Sequence, residues 1–169
     1  MNQLLGNLTF DPEHGALSLQ SARYVMMSPT LLVELQKNIE GHLPQDVAEI
    51  MAQTAFGEGA ILASRYRDAF NYSAEEVARA VSFMLTQSGW GAMSTEMVNL
   101  ENQEVVFKVV DSPFAEVYGP STQSVCHTVL GFLQGAAMTL FDKETDGMEV
   151  QCMAKGDTCC RFVVNGRPD

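Results

Sequence analysis

Cysteine is absent from the first 125 residues of the chain, and basic residues are few throughout: 10 Lys and Arg against 21 Asp and Glu, a formal charge of −11. A nucleic-acid backbone is gripped by clustered Lys and Arg, so this deficit argues against a nucleic-acid partner. It equally disfavours an anionic membrane surface. No apolar run approaches the roughly 18–20 residues that a membrane span needs. The opening Met1-Asn2-Gln3-Leu4-Leu5-Gly6 lacks the basic start and long apolar stretch of a signal peptide. These absences predict a soluble, cytoplasmic protein. Also missing are a glycine-rich dinucleotide fingerprint and a nucleophile elbow. The three histidines, His14, His42 and His127, are scattered. No enzymatic activity is expected.

What is present is a globular composition. Hydrophobic residues make up 46% of 169 positions, enough for one packed domain over residues 1–169. Leu8 and Phe10, then Ala16 to Leu19, read as a short hairpin around the turn Asp11–Gly15. Ser28-Pro29 starts a helix whose inner face is Leu32, Leu35 and Ile39 and which stops at Gly41. Pro44 opens a second helix to Tyr66, with Val47, Ile50, Met51, Thr54 and Ala55 inward. Its glycines, Gly57 and Gly59, are costly in a helix interior unless they allow a close helix contact. Ser73-Ala74-Glu75-Glu76 is a capping box, followed by the stripe Val77, Val81, Met84 and Leu85. The period then changes. Residues 90–100 and 104–118 read as strands, with Pro113 marking an edge or bulge. A fourth helix is expected over 123–142, and a closing hairpin over 148–154 and 160–164. The order is that of an α+β fold with an antiparallel sheet.

The four cysteines, Cys126, Cys152, Cys159 and Cys160, all fall late in the chain. In a cytosolic protein they are not expected to form a disulfide framework. Cys152 and Cys160 sit on the two arms of one hairpin, Cys126 sits near the start of the preceding helix, and Glu149 precedes Cys152 by three. Three thiolates and a carboxylate make a closed tetrahedral shell for Zn²⁺, structural rather than catalytic. Two other readings stay open on spacing alone: inert buried cysteines, and a Cys152–Cys160 disulfide. Strand geometry raises an objection too: residues three apart face opposite sides of a regular strand, so Glu149 and Cys152 need a bulge or twist to converge.

The segment Glu149 to Phe162, with Glu, Cys three later, a Gly-Asp turn and Cys-x-Phe, resembles the closing motif of 4-vinyl reductase domains. The run Cys126-His127-Thr128-Val129-Leu130-Gly131-Phe132-Leu133-Gln134-Gly135 resembles the same family, as do Asp111 to Glu116 and Gly89-Trp90-Gly91. The resemblance covers most of the chain and is strongest after Gly89. The family includes the sensor region of phenol-responsive bacterial transcription activators. The resemblance implies a zinc ion held by Cys126, Glu149, Cys152 and Cys160, with Cys159 a non-ligand neighbour. It implies a fold similar to heme–nitric-oxide sensor domains and vesicle-tethering (TRAPP) subunits, with helices packed on one side of the sheet. It also implies a homodimer and a small hydrophobic ligand.

Phe83, Met84, Trp90, Phe107, Phe114 and Phe132 are the candidate pocket residues, and plain core packing is the competing reading for each. The ten methionines suit an adaptable pocket or simply fill gaps. The phenol sensors hold the phenol hydroxyl with a His and a Trp, whose positions here fall at Val77 and Pro113. Neither side chain can hydrogen-bond a phenol, so phenol is not the expected ligand. The ATPase and DNA-binding regions of those activators are also missing, so a complete regulator of that kind is not expected. Three functions remain: a hydrophobic-ligand binding or sensor module, an accessory factor for tetrapyrrole synthesis or photosystem assembly, and a purely structural dimer.

Overall fold

Capping chemistry and glycine placement set most helix limits. The fold is described from a computed structural model covering residues 3–19 and 22–168; Met1 and Asn2, on which the signal-peptide reading partly rests, lie outside it. After a short helix α1 (Gln3–Asn7), strands β1 (Leu8–Asp11), β2 (Ala16–Leu19) and β3 (Ala22–Tyr24) form a small antiparallel sheet. The expected hairpin is β1–β2; α1 and β3 were not anticipated. Helix α2 (Pro29–His42) begins on Ser28, whose hydroxyl accepts the Thr30 N–H, with Pro29 in the first turn. Its buried residues are Val33 and Gln36; Leu35, expected inward, is exposed. Helix α3 runs over Val47–Phe70, later at both ends than expected, because residues 44–46 form a turn before Asp46 at the N-cap. Its inner face is Val47, Met51, Ala55, Gly59 and Ala63, a strict four-residue row that leaves Thr54 exposed. Helix α4 (Ala74–Gln87) carries both halves of the expected capping box between Ser73 and Glu76.

The main sheet has the order β4-β5-β7-β6, all antiparallel, from β4 (Ala92–Asn99), β5 (Glu104–Val110), β6 (Thr145–Gln151) and β7 (Cys160–Gly166). Central strands β5 and β7 alternate strictly, and their buried residues pair across the ladder: Val105 with Val164, Phe107 with Phe162, Val109 with Cys160. That face is covered by α4 and by α6 (His127–Phe141). Helices therefore pack on one side of an antiparallel sheet, as expected.

Two expectations about this half are corrected. Residues 104–118 are not one strand. Pro113 is not a bulge but stands in the first turn of a helix, α5 (Pro113–Tyr118), whose N-cap Ser112 accepts the Ala115 N–H. The fourth helix starts at His127, not 123, with Cys126 as its N-cap.

Helices α3 and α6 meet backbone to backbone. A Cβ at Gly59 would collide with the Phe132 carbonyl, one at Gly131 with Ala52, and one at Gly135 with the Phe56 carbonyl. Three glycines thus remove the side chains that would hold the helices apart. Gly57, also expected to serve this contact, faces open space.

Candidate metal centre

Cys126, Glu149, Cys152 and Cys160 converge. One ligand atom from each lies within 4.8 Å of the others, and all four residues are buried. The Cys126 and Cys160 sulfurs are 3.7 Å apart. All four cysteines are free thiols, which removes the disulfide reading.

Each side chain is placed by an identifiable local feature. Cys126 is the α6 N-cap, but its thiol makes no capping bond and is free to face the cluster. Its backbone N–H donates to Glu149 Oε2 at 3.0 Å, so the carboxylate sits at the positive end of α6. The objection about Glu149 and Cys152 is resolved by a β-bulge. Glu149 pairs with Phe162 and Gln151 with Arg161, so Val150 is an extra residue in β6. One inserted residue turns a spacing of three into a shared face. A 3-10 turn at Met153–Lys155, ended by Gly156 in the left-handed region at φ 95°, then reverses the chain toward Cys160.

Neighbouring groups hold these donors. The Cys152 N–H donates to Asp157 Oδ2 at 2.8 Å, the Met153 N–H to Cys160 Sγ at 3.4 Å, and Ser112 Oγ lies 3.7 Å from Cys126 Sγ. The Gln36 amide donates to the Val125 carbonyl at 3.0 Å, fixing the residue before Cys126. None of these four roles was read from the sequence. Asp157 alone carried a signal, the Gly-Asp turn. Cys159, just before β7, directs its thiol to Gln151 Oε1 at 3.6 Å and is not among the converging donors. His127 is half-buried, its pKa lowered by burial, and it is not among the converging donors.

Burial and mutual contact set the electrostatics of the cluster. Burial, then contact with Cys152, pushes the Glu149 carboxyl up to about 8. Hydrogen bonding to Cys152 and Cys160, with burial, raises Cys126 well above the ordinary thiol range. At Cys160 the Cys126 contact pulls downward, but bonding to Cys152 and burial outweigh it and leave the thiol at about 12. Cys152 alone is strongly depressed, because the Cys126 and Cys160 thiols hydrogen-bond to its thiolate. Glu149 Oε1 is buried without any hydrogen-bond partner. A buried carboxylate oxygen without a partner is costly, and a metal ion would satisfy it. The group can therefore hold a metal.

The candidate pocket residues divide. Trp90 meets Phe114 and Phe132 edge to face, with ring centroids 5.2 and 5.4 Å apart. Phe107 is fully buried at the centre of β5, Met84 is half-buried, and Phe83 is 50% exposed. Val77 is buried on α4 and Pro113 lies in the first turn of α5.

No curated protein matched the chain. Residues 105–165 match the family model of the 4-vinyl reductase domain. Among solved structures, the phenol-responsive sensory domain of the transcription activator PoxR with phenol aligns with a TM-score of 0.83 at 19% identity, covering 96% of this chain and 86% of that one. A vinyl-4-reductase family protein from Methanocaldococcus jannaschii aligns at 0.56 and 14%, covering 88% and 86%. Trafficking protein particle complex subunit 3 from Naegleria fowleri, covalently bound to palmitic acid, aligns at 0.55 and 11%, covering 83% and 95%. At these identities the likeness establishes the fold. The segment that matches the 4-vinyl reductase domain model, residues 105–165, contains all four converging donors.

Proposed function

We propose that the chain acts as one zinc-stabilised, non-catalytic module that binds or senses a small hydrophobic molecule. The observation that carries this reading is the fold match, over nearly the whole chain, to a sensory domain bound to phenol. The buried group of three cysteines and one glutamate supports the zinc part. In a tetrahedral site with Zn–S near 2.3 Å, sulfurs stand about 3.8 Å apart, and Cys126 and Cys160 are 3.7 Å apart. Cys126, Glu149, Cys152 and Cys160 would hold the ion, whose charge would compensate the buried thiolates and carboxylate. Four protein donors leave no open position for substrate, so such a site ties α6 to the closing hairpin and does no chemistry. Phenol is not the favoured ligand, since Val77 and Pro113 offer it no hydrogen bond. Phe10, Val25, Met26 and Met27 of the N-terminal part are each exposed, which supports a homodimer through N-terminal elements.

Native mass spectrometry of protein purified from its own host tests the reading. The expected spectrum is a dimer carrying about one zinc per chain and a bound organic mass. A folded protein with neither metal nor organic ligand overturns it.

A further inference from the structure

Helix α2 rests on the domain through a narrow stripe. Of its 14 residues only Val33 and Gln36 are buried, while Leu31 and Leu35 are exposed. It packs mainly on α5 and only lightly on α3. Beneath it lies a cavity of about 10 Å³, walled by Leu32, Val33 and Gln36 of α2, Phe114 of α5, Val125 and Cys126 just before α6, and Thr128 and Val129 in its first turn. That is room for roughly one water molecule, and its walls are mostly apolar.

What holds α2 down is polar. Gln36, 5% exposed, donates to the Val125 carbonyl at 3.0 Å. Tyr118 donates its hydroxyl to Glu40 Oε2 at 2.6 Å, and the Lys37 ammonium sits 4.9 Å from the Tyr118 ring centroid. Polar contacts of this kind are exchanged for water when an element lifts, so their net cost is small. A helix held by two hydrogen bonds over a thin apolar stripe opens locally before the core does.

We propose that α2 is a latched lid over a collapsed apolar cleft between α5 and α6, and that a hydrophobic molecule enters by lifting it. This rests on the ligand-binding reading above and deepens it by giving the ligand a place and a gate. Phe114 joins the cleft to the Trp90–Phe132 aromatic cluster. Cys126 itself lines the cavity, so an occupant under the lid abuts one donor of the candidate metal group.

The test compares the full chain with Tyr118→Phe and Glu40→Ala. These remove the outer latch and leave the cleft walls intact. Hydrogen exchange is followed by mass spectrometry, and association of the uncharged fluorophore N-phenyl-1-naphthylamine by stopped flow. In both variants α2 amides should exchange about tenfold faster, the scale of one hydrogen bond to a charged group. Those of α3 and α6 should not change, and the fluorophore's association rate should rise in step. Fluorophore binding with unchanged α2 exchange or unchanged association overturns the lid while leaving the ligand-binding reading intact. Absence of fluorophore binding by all three proteins, whatever the α2 exchange, overturns both, because the lid then covers no site.

Discussion

Glu149 is 7% exposed, with one carboxylate oxygen on the Cys126 N–H and the other buried without a hydrogen-bond partner. Its carboxyl titrates near 8 and the Cys160 thiol near 12. Cys126 is also raised, and Cys152 is depressed. At pH 7 the metal-free cluster therefore holds protons on Glu149, Cys126 and Cys160, and a metal must displace them. Binding at pH 7 should release about three protons, falling to about two above pH 8 as Glu149 ionises, so affinity rises with pH. Calorimetry in buffers of different ionisation enthalpy measures the number; a release independent of pH between 6 and 9 would contradict the assignment. The same residues make a mutational contrast. Cys152→Ser and Cys160→Ser should each cost roughly 3–5 kcal/mol through loss of the metal. Cys159→Ser should cost about 1 kcal/mol or less, since its thiol makes one weak contact. Equal losses at Cys159 and Cys160 in urea denaturation would show the ligand set to be wrong. Spacing left the cysteines open to other readings, and the family resemblance is what singled out the four residues that converge. Ser112 and Gln36 were not legible in the sequence, since a serine or glutamine acquires such a role only from the tertiary position of its partner.

At the scale of elements, the α3–α6 contact gives a clear ranking. Gly131→Ala and Gly135→Ala drive a methyl group into the opposing backbone, which cannot yield as a side chain tip can. Each should lose about 2–4 kcal/mol. Gly57→Ala meets nothing within 4 Å and should gain about 0.5–1 kcal/mol of helix propensity. Thermal denaturation separates the two outcomes; a Gly135→Ala protein as stable as the parent would mean the helices stand further apart. Helix caps were readable, because Ser28 and Ser73 act through bonds to residues two or three away. Helix α5 was not. Its Val-rich approach reads as continuous strand, and only the Ser112 cap and Pro113, which suit a first turn as well as an edge strand, mark the change. The β6 bulge was legible only as a condition, since Glu149 and Cys152 need a bulge or twist to converge; its place is a property of the β6–β7 pairing.

The whole molecule is drawn together at one end. The group of three cysteines and Glu149 joins the α6 N-terminus to both arms of the last hairpin, and the closing strand β7 pairs on both edges, with β5 and β6. Among the described residues no helix is long and apolar enough to cross a membrane. The fold class was legible at this scale because the change from helical to strand period after Gly89 survives any error in element limits. Which helix faces were inward was less so: Leu35 and Thr54 fit an apolar stripe on paper, but the tight α3–α6 seam and the narrow α2 contact turn them outward. If the metal closes this end of the domain, its removal should loosen the last helix and hairpin together. The most direct test is elemental analysis of the purified, folded chain, with circular dichroism recorded before and after stripping by a chelator. The account predicts about one zinc per chain and a cooperative loss of structure on chelation. A metal-free chain that is fully folded and indifferent to chelator would contradict it.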